Sequence, residues 1–226
     1  MIKVYIASIE MLEDNKIFER ELQKVSEERK KKVNHCKMLE DKKRSLLAGI
    51  LLQYAWENFC LLKHREEEDL QISYGENEKP QCINAPDFFF NLSHSGKYVV
   101  CAIAEEAIGI DIQQIKESRI NTAKRFFAKF EWEQIEQESL KEQQALFSKL
   151  WAMKESYIKY TGLGMKQGLN TFCINHKTGV VSDRNDHIVA FSYARNNIKG
   201  YYTAVCSKEK NAEITYQNVQ YLHENA

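Results

Sequence analysis

The spacing of apolar and polar residues along the chain predicts a mixture of helices and strands. Between Asp41 and Leu62, apolar side chains recur at intervals of three and four, which predicts a long helix with one buried face. A second long helix is predicted from Gln143 to Tyr160, ending before two nearby glycines. Runs of β-branched and aromatic residues predict strands at 4–9, 70–74, 88–92, 98–104, 108–112, 171–174, 187–193 and 200–206.

Charged segments and turns separate these elements. Residues 16–37 are rich in charged helix formers, and residues 121–130 predict another helix. Residues 75–87 contain both prolines of the chain and predict a loop. The Ser-His-Ser-Gly segment at 93–96 looks like a turn between two strands.

The order of elements is similar in the two halves of the chain: a strand, helices and then further strands. The segment that starts at Gly96 also resembles the one that starts at Gly200, although identities are few and β-strands favour these residues anyway. An internal duplication and a chance likeness both remain open. A duplication would give an N-terminal lobe of residues 1–107 and a C-terminal lobe of residues 108–226, with a site between them.

Composition narrows the partners that we expect. The 226 residues include 32 Lys and Arg and 32 Asp and Glu, so the formal net charge is zero and no overall field favours nucleic acid or an anionic membrane. Residues 1–7 read as a strand and not as a signal peptide, and the apolar run 98–104 is too short to cross a bilayer. The six cysteines form no CxxC pair. We therefore expect a cytoplasmic protein with reduced, mostly buried cysteines and no zinc.

The segment Gly-Ile-Asp-Ile-Gln at 109–113 is a candidate metal site. On a strand, Asp111 and Gln113 point to the same side, where a carboxylate and an amide oxygen can face a hard cation. Mg²⁺ is bound in proteins by one or two carboxylates together with waters and substrate phosphates. A strand-end aspartate in a turn or cap is the alternative interpretation.

A second candidate lies on the predicted helix that ends near Tyr160. Trp151, Glu155 and Lys159 follow one another at spacings of four and therefore share one helix face. The carboxylate can hold a cation or accept a proton, and the lysine can hold a phosphate oxygen. The alternative is a surface ion pair worth about 0.2–0.5 kcal/mol.

The Ser93–His94 pair suggests a hydrolase only at first sight. Triads are assembled in space rather than from adjacent residues, and the chain has no Gly-x-Ser-x-Gly elbow. A polar turn that offers its groups to an anion and a purely structural hairpin are the two remaining interpretations. Four basic residues of the first half are further candidates, each of which alone would be read as solvated: Arg29, Lys32, Arg44 and Lys79.

Taken in order, these motifs resemble the phosphopantetheinyl transferases of the surfactin-synthetase-activating (Sfp) type. The family pattern is Phe-Asn-x-Ser-His-Ser, then Gly-(Ile/Val)-Asp-x-(Glu/Gln), then Trp-x-x-Lys-Glu-x-x-x-Lys followed by Gly-x-Gly. In this chain these motifs stand at 90–95, 109–113 and 151–164. The residues Lys124 to Phe127 and Glu131 between them also look like the family. The resemblance covers residues 29–164, and three motifs in order at the family's spacing are highly specific.

The resemblance implies an α+β fold of two similar lobes related by pseudo-twofold symmetry, each a small, mostly antiparallel sheet packed on a long helix. It implies that coenzyme A lies between the lobes. The implied reaction moves the 4′-phosphopantetheine arm of coenzyme A to a serine of an apo carrier protein, which is an acyl, peptidyl or polyketide carrier. The implied cofactor is Mg²⁺, the product is 3′,5′-ADP, and the expected state is a monomer.

The family match also implies roles in the chemistry. Asp111 and Glu155 would hold Mg²⁺ at the pyrophosphate, and Glu155 would accept the proton of the serine hydroxyl, either directly or through a metal-bound water. Lys159 would neutralise the pyrophosphate, and Glu131 would be an additional base or would hold a water. Gln113 stands where many members have a third carboxylate, so its neutral amide would weaken metal binding or leave the place to a water.

The same match implies residues that bind coenzyme A. Ser93 and His94 would contact its nucleotide end, with His94 near the 3′-phosphate. Arg44 and Lys79 match positions that hold phosphates or the adenine side. Arg29 and Lys32 align with further positions of this kind.

Three other functions remain possible from the sequence. The chain could be a non-catalytic relative that binds coenzyme A or a carrier, which only Gln113 favours. It could be an esterase that uses Ser93 and His94. It could also be a structural domain that binds a partner without any small ligand.

Overall fold

The computed structural model describes residues 1–66, 68–75, 77, 79–116 and 120–220. These residues form two compact units. Unit 1 contains residues 1–73, residues 81–105 and the described residues from Glu213 onward. Unit 2 contains Tyr74–Pro80 and Glu106–Ala212.

The helices and strands follow one another in the order that the sequence pattern suggests, with several short additions. The first half contains β1 (Ile2–Ser8), α1 (Asn15–Lys24), α2 (Glu27–His35), α3 (Leu39–Leu62), β2 (Ile72–Tyr74), β3 (Pro80–Cys82), β4 (Phe89–Ser95) and β5 (Tyr98–Ala104). The second half contains β6 (Gly109–Gln114), α4 (Ile120–Phe126), α5 (Lys129–Glu136), α6 (Leu140–Thr161), β7 (Cys173–Ile174), β8 (Val180–Ser182), β9 (Ile188–Ile198), β10 (Tyr201–Ser207) and β11 (Ile214–Asn218).

Unit 1 is a four-stranded sheet packed on α3. The strand order is β11-β1-β5-β4, with β1 parallel to β11 and antiparallel to β5. Alternate residues of β5, such as Val99 and Cys101, join Leu47 and Leu51 of α3 in one apolar core. By length and composition α3 is apolar enough to cross a membrane, but 56% of its most apolar window is buried inside the protein, as in a core helix.

Unit 2 is a five-stranded sheet packed on α6. The strand order is β6-β10-β9-β8-β7, and every neighbouring pair is antiparallel. Leu150 and Met153 of α6 pack with Ala204 and Cys206 of β10 in its core. Each unit is thus a small sheet on one long helix, which confirms the predicted α+β fold class.

The two units share a three-stranded arrangement. In unit 1, β1 pairs with β5 and β5 pairs with β4; in unit 2, β6 pairs with β10 and β10 pairs with β9. The final hairpins turn at Gly96 and Gly200, which have positive φ angles of 53° and 81°. These are the two segments whose sequences resemble each other, so the topology favours a duplication over chance.

The unit boundaries differ in detail from the lobes predicted at 1–107 and 108–226. The chain crosses from unit 1 to unit 2 at Glu105–Glu106, close to the predicted junction. Strand β11 belongs to unit 1 because it pairs with β1, and Tyr74–Pro80 belongs to unit 2. The order of residues along the chain does not reveal that a late strand pairs with an early one.

Several local predictions were wrong. Ser93, His94 and Ser95 are not a turn but the end of β4, paired with Val100, Val99 and Tyr98. The predicted helix at 121–130 ends at Phe126, and a separate helix, α5, follows. The short strands β3, β8 and β11 were missed because segments of three to five residues carry too little periodicity to identify.

The structure contains all six cysteines as unpaired thiols. All six lie among the described residues. Cys60, Cys101 and Cys206 are buried and the other three are half-buried.

Candidate active site

The site in unit 2 begins with an unusually close approach between β6 and α6. A Cβ atom at Gly109 would lie 2.0 Å from the carbonyl oxygen of Ser156 and 2.4 Å from the backbone nitrogen of Tyr160. Since both atoms are backbone, no side-chain rotation can make room. Glycine at this position therefore lets the strand run directly against the last turns of the helix, and Asp111 lies on the same strand face as Gly109.

We expect Gly109→Ala to destabilise unit 2. The added methyl group must push β6 away from α6, and overpacking of this kind costs about 1–3 kcal/mol or more. Urea denaturation followed by circular dichroism measures the loss. Gly168→Ala is the matched control, because its Cβ would meet only the ends of the Asn170 and Thr171 side chains, at 3.1 and 3.4 Å. Equal stability of the two variants would contradict the argument.

Asp111 and Lys159 form an ion pair across this close approach. The Nζ of Lys159 donates to Oδ1 of Asp111 at 2.7 Å. Asp111 is buried on β6, opposite Ala204 of β10, whereas Lys159 keeps about a quarter of its side chain exposed. The structure thus joins a strand residue and a helix residue that the sequence predicted as parts of one site.

Glu155 lies one turn before Lys159 on α6 and is half-buried. Burial raises the pKa of its carboxyl group, the charge of Asp111 raises it further, and Lys159 lowers it. Within the described part of the chain, this carboxylate makes no hydrogen bond or ion pair. Glu155 is therefore an available carboxylate beside a second, paired one.

The donor set fits Mg²⁺ better than a transition metal. Asp111 and Glu155 are carboxylates close enough to repel each other, and a divalent cation would relieve that repulsion. Gln113 shares the strand face of Asp111 and adds an amide oxygen. The described residues hold no group of three or more His, Cys, Asp or Glu suited to a metal. Mg²⁺ commonly uses one or two carboxylates and completes its shell with water and phosphate oxygens.

Trp151 lies one helical turn before Glu155 on α6 and packs against other aromatic residues. Its ring packs on Phe127 and Phe147, with centroids 5.9 and 5.6 Å apart. Phe127 lies just after α4, outside α6, so its contact with Trp151 helps to hold α6 in place.

Glu131 has structural contacts in place of the open position that a catalytic base needs. Its carboxylate is 0% exposed, and Oε2 pairs with Nζ of Lys154 at 2.8 Å. The same carboxylate accepts from the backbone nitrogens of Ala128 at 3.0 Å and Ile174 at 2.8 Å. The role of Glu131 as a base or water holder stays a prediction, and these contacts favour a role in folding.

Unit 1 contains a cavity of about 520 Å³ that collects most of the predicted ligand-binding residues of this unit. Its lining residues come from α2, α3, β4 and the loop between α2 and α3: Arg29, Lys32, Cys36, Asp41, Ser45, Ala48, Leu92, Ser93 and His94. Two cationic residues, Arg29 and Lys32, thus line the cavity together with Ser93, His94 and a single carboxylate, that of Asp41, so positive charge is in excess there. Such a set suits a phosphorylated ligand.

Arg44 does not line this cavity, although it lies on α3 beside Asp41 and Ser45, which do. Its guanidinium donates to the carbonyl of Gly96 at 2.7 Å and to Oδ1 of Asp41 at 2.5 Å. It therefore ties α3 to the β4–β5 hairpin. Its predicted contact with a phosphate stays a prediction.

The esterase interpretation is poorly supported by the geometry of β4. Successive residues of a strand project to opposite faces, and Ser93 is buried whereas His94 is exposed. A nucleophile and its base need to share one face.

Two features of the sites escaped the sequence analysis, although their signals are present. Asp41, Ser45 and Ala48 recur at spacings of four and three, which places them together on one face of α3. Lys154 lies at four residues from both Leu150 and Ile158, inside the apolar stripe of α6. A lysine in an apolar stripe indicates a buried acidic partner, which is Glu131.

Comparison with known proteins gives matches over both units. Residues 107–213 match the family described as the 4′-phosphopantetheinyl transferase superfamily, and residues 13–106 match the family described as 4′-phosphopantetheinyl transferase, N-terminal. The chain is 34% identical over 192 residues to 4′-phosphopantetheinyl transferase Sfp of Bacillus subtilis (strain 168), covering 84% of each protein. It is 31% identical over 215 residues to 4′-phosphopantetheinyl transferase psf-1 of Bacillus pumilus, covering 92% of this chain and 90% of that protein.

A third relative extends the similarity to almost the whole chain. Over 227 aligned residues, the chain is 30% identical to 4′-phosphopantetheinyl transferase gsp of Aneurinibacillus migulanus, covering 98% of this chain and 94% of that protein. The chain therefore belongs to the 4′-phosphopantetheinyl transferase superfamily, the enzymes that transfer phosphopantetheine from coenzyme A to a serine of a carrier protein.

Proposed function

We propose that this chain transfers the 4′-phosphopantetheine arm of coenzyme A to a serine of an apo carrier protein, releases 3′,5′-ADP and uses Mg²⁺. The observation that carries the proposal is the cluster of Asp111, Glu155 and Lys159 at the close approach of β6 and α6. Two carboxylates and a lysine at one place suit a metal ion and a pyrophosphate together.

Glu155 is the proposed general base. The serine hydroxyl of the carrier must lose its proton as its oxygen attacks the β-phosphorus of coenzyme A, and the bond from that phosphorus to the 3′,5′-ADP oxygen breaks. Glu155 has no hydrogen-bond or ion-pair partner among the described residues, so its carboxylate is available to take this proton. Asp111 is already held by Lys159 and is less suited to that task.

Lys159 and the metal held by the carboxylates are proposed to stabilise the negative charge of the pyrophosphate. The ammonium of Lys159, which donates to Oδ1 of Asp111 at 2.7 Å, would also offset the negative charge of the pyrophosphate oxygens. Asp111 and Glu155 would hold Mg²⁺, with Gln113 as a neutral contributor. When bound, the cation would stabilise the negative charge that grows on the leaving group.

The cavity of unit 1 is the proposed place for the nucleotide end of coenzyme A. Its volume of about 520 Å³ lies in the usual range for small-molecule sites. Arg29 and Lys32 supply positive charge, and Ser93 and His94 supply shorter polar groups. A phosphate on the ribose is the anionic group that such a lining suits best.

The proposal is tested by mass spectrometry of an apo carrier protein incubated with the enzyme, coenzyme A and Mg²⁺. We expect a mass gain equal to the phosphopantetheine arm, no gain with a carrier whose acceptor serine is alanine, and loss of transfer when EDTA removes the metal. Undiminished transfer in EDTA would contradict the role of Mg²⁺. No gain with any carrier, together with a higher melting temperature in coenzyme A, would indicate a binding protein instead.

The same assay with a panel of acyl, peptidyl and polyketide carriers identifies the carrier class. A cytoplasmic monomer without nucleic-acid or membrane partners completes the proposal. Its supports are the zero net charge and the six unpaired cysteines.

A further inference from the structure

The C-terminal end of α6 needs a partner for its last carbonyl groups. The final four carbonyls of any α-helix accept no hydrogen bond from an N–H group within the helix itself. In α6 the carbonyl of Ile158 is satisfied by the backbone nitrogen of Gly162, in the left-handed region at φ 71°, and by the hydroxyl of Thr161. The carbonyl of Tyr160, next to Lys159, needs a donor from elsewhere in the chain.

Lys79 supplies that donor from the segment that precedes β3. Its Nζ donates to the carbonyl of Tyr160 at 3.0 Å and to the carbonyl of Ile108 at 3.3 Å. Ile108 directly precedes Gly109, where the strand approaches the helix. One ammonium group therefore links the end of α6 to the residue before β6.

The surroundings of Lys79 suit this bridging position. Burial lowers the pKa of its ammonium group, and among the residues that the structure describes no carboxylate pairs with it. A Cβ atom at Gly162 would lie 3.1 Å from Cδ of Lys79, so the helix-ending glycine also leaves room for the lysine stem. A cation at the carbonyl end of a helix is electrostatically favourable.

We propose that Lys79 is a positioning residue, which joins α6 to β6 and thereby holds Lys159 and Asp111 in register. This role differs from the phosphate contact that the family resemblance implies for Lys79. The inference rests on the proposed function, because the consequence of a shift in this register is a loss of transfer activity. The joining of α6 to β6 by Lys79 is a property of the protein without any ligand and can be tested without measuring activity.

Two variants separate bridging from phosphate binding. Lys79→Met removes every donor and keeps an apolar stem, whereas Lys79→Gln keeps N–H donors without the charge. Lys166→Met is the matched control, because Lys166 is an exposed lysine of the same unit whose Nζ contacts the side chain of Asn77. The readouts are the melting temperature without ligand, amide hydrogen exchange of α6, and kcat and KM with coenzyme A and with 3′-dephospho-coenzyme A.

If Lys79 is a bridge, Lys79→Met lowers the melting temperature and speeds amide exchange in the last turn of α6. It lowers kcat by about 10- to 100-fold, as expected when a reacting group is misplaced, and leaves KM for coenzyme A within about threefold. Lys79→Gln recovers part of kcat because an amide can still donate to carbonyls. The preference for coenzyme A over its 3′-dephospho form stays as in the unmodified protein.

The opposite pattern would overturn the inference. A higher KM for coenzyme A, a lost preference for the 3′-phosphate, and an unchanged melting temperature would make Lys79 a phosphate ligand. Unchanged exchange in α6 and an unchanged kcat would also overturn it. If the unmodified protein shows no transfer, the proposed function fails, but the melting and exchange measurements still decide whether Lys79 joins α6 to β6.

Discussion

Replacing Glu155 with glutamine is expected to lower the rate of phosphopantetheine transfer by about 10²- to 10⁴-fold, the usual contribution of a general base. The protein should nevertheless stay folded. Burial and the charge of Asp111 raise the pKa of Glu155, so its ionised form is disfavoured in the folded state. A neutral isostere removes that unfavourable charge. We therefore expect an unchanged or higher melting temperature together with the loss of activity.

The measurement compares initial rates of carrier modification with the thermal unfolding of the same preparations. Glu142→Gln makes the same chemical change on the same helix, in its first turn, where the carboxylate contacts only the hydroxyl of Ser139 among described residues. This control should retain full activity. Transfer by the Glu155→Gln variant at a rate near that of the control would refute the assignment of the base.

Breaking the buried pair of Glu131 and Lys154 is expected to cost about 3–5 kcal/mol of unfolding free energy, because one charge is left buried without its partner. Lys154 also donates to the carbonyls of Leu169 at 2.8 Å and Phe172 at 3.0 Å. Lys154→Met leaves both carbonyls unsatisfied as well, which adds to the loss. Whole domains are stable by about 5–15 kcal/mol, so either single variant is a severe change.

Urea denaturation of Glu131→Gln, Lys154→Met and the double variant measures the coupling between the two residues. The double variant should lose less than the sum of the single variants, since it leaves no unpaired charge. Kinetics then separate this structural role from catalysis. If Glu131 were a base, Glu131→Gln would lose activity with unchanged stability, which would contradict our interpretation of its contacts.

The long elements and the grouping of the proposed site residues could be predicted from the sequence. Helices α3 and α6 each extend over more than twenty residues, so their apolar spacing repeats often enough to identify them. Asp111, Glu155 and Lys159 were predicted to meet, and the ion pair between Asp111 and Lys159 agrees with that. Metal binding at this place stays a prediction.

Other features depend on contacts between distant parts of the chain. The requirement for glycine at 109 becomes visible only when the backbone of α6 lies beside it. The bridging position of Lys79 depends on carbonyls 29 and 81 residues further along the chain. Ser93 and His94 were read as a turn because polar residues favour turns, but pairing with β5 keeps them in the strand.

The parallel pairing of β1 with β11 has a consequence for the order in which the protein folds during synthesis. Unit 2 ends at Ala212, so the ribosome completes it before β11 has been made. Until that strand emerges, the backbone groups along one side of β1 have no β11 to pair with, and such an edge invites pairing with other chains. A strand translated after unit 2 thus completes the sheet to which β1 belongs.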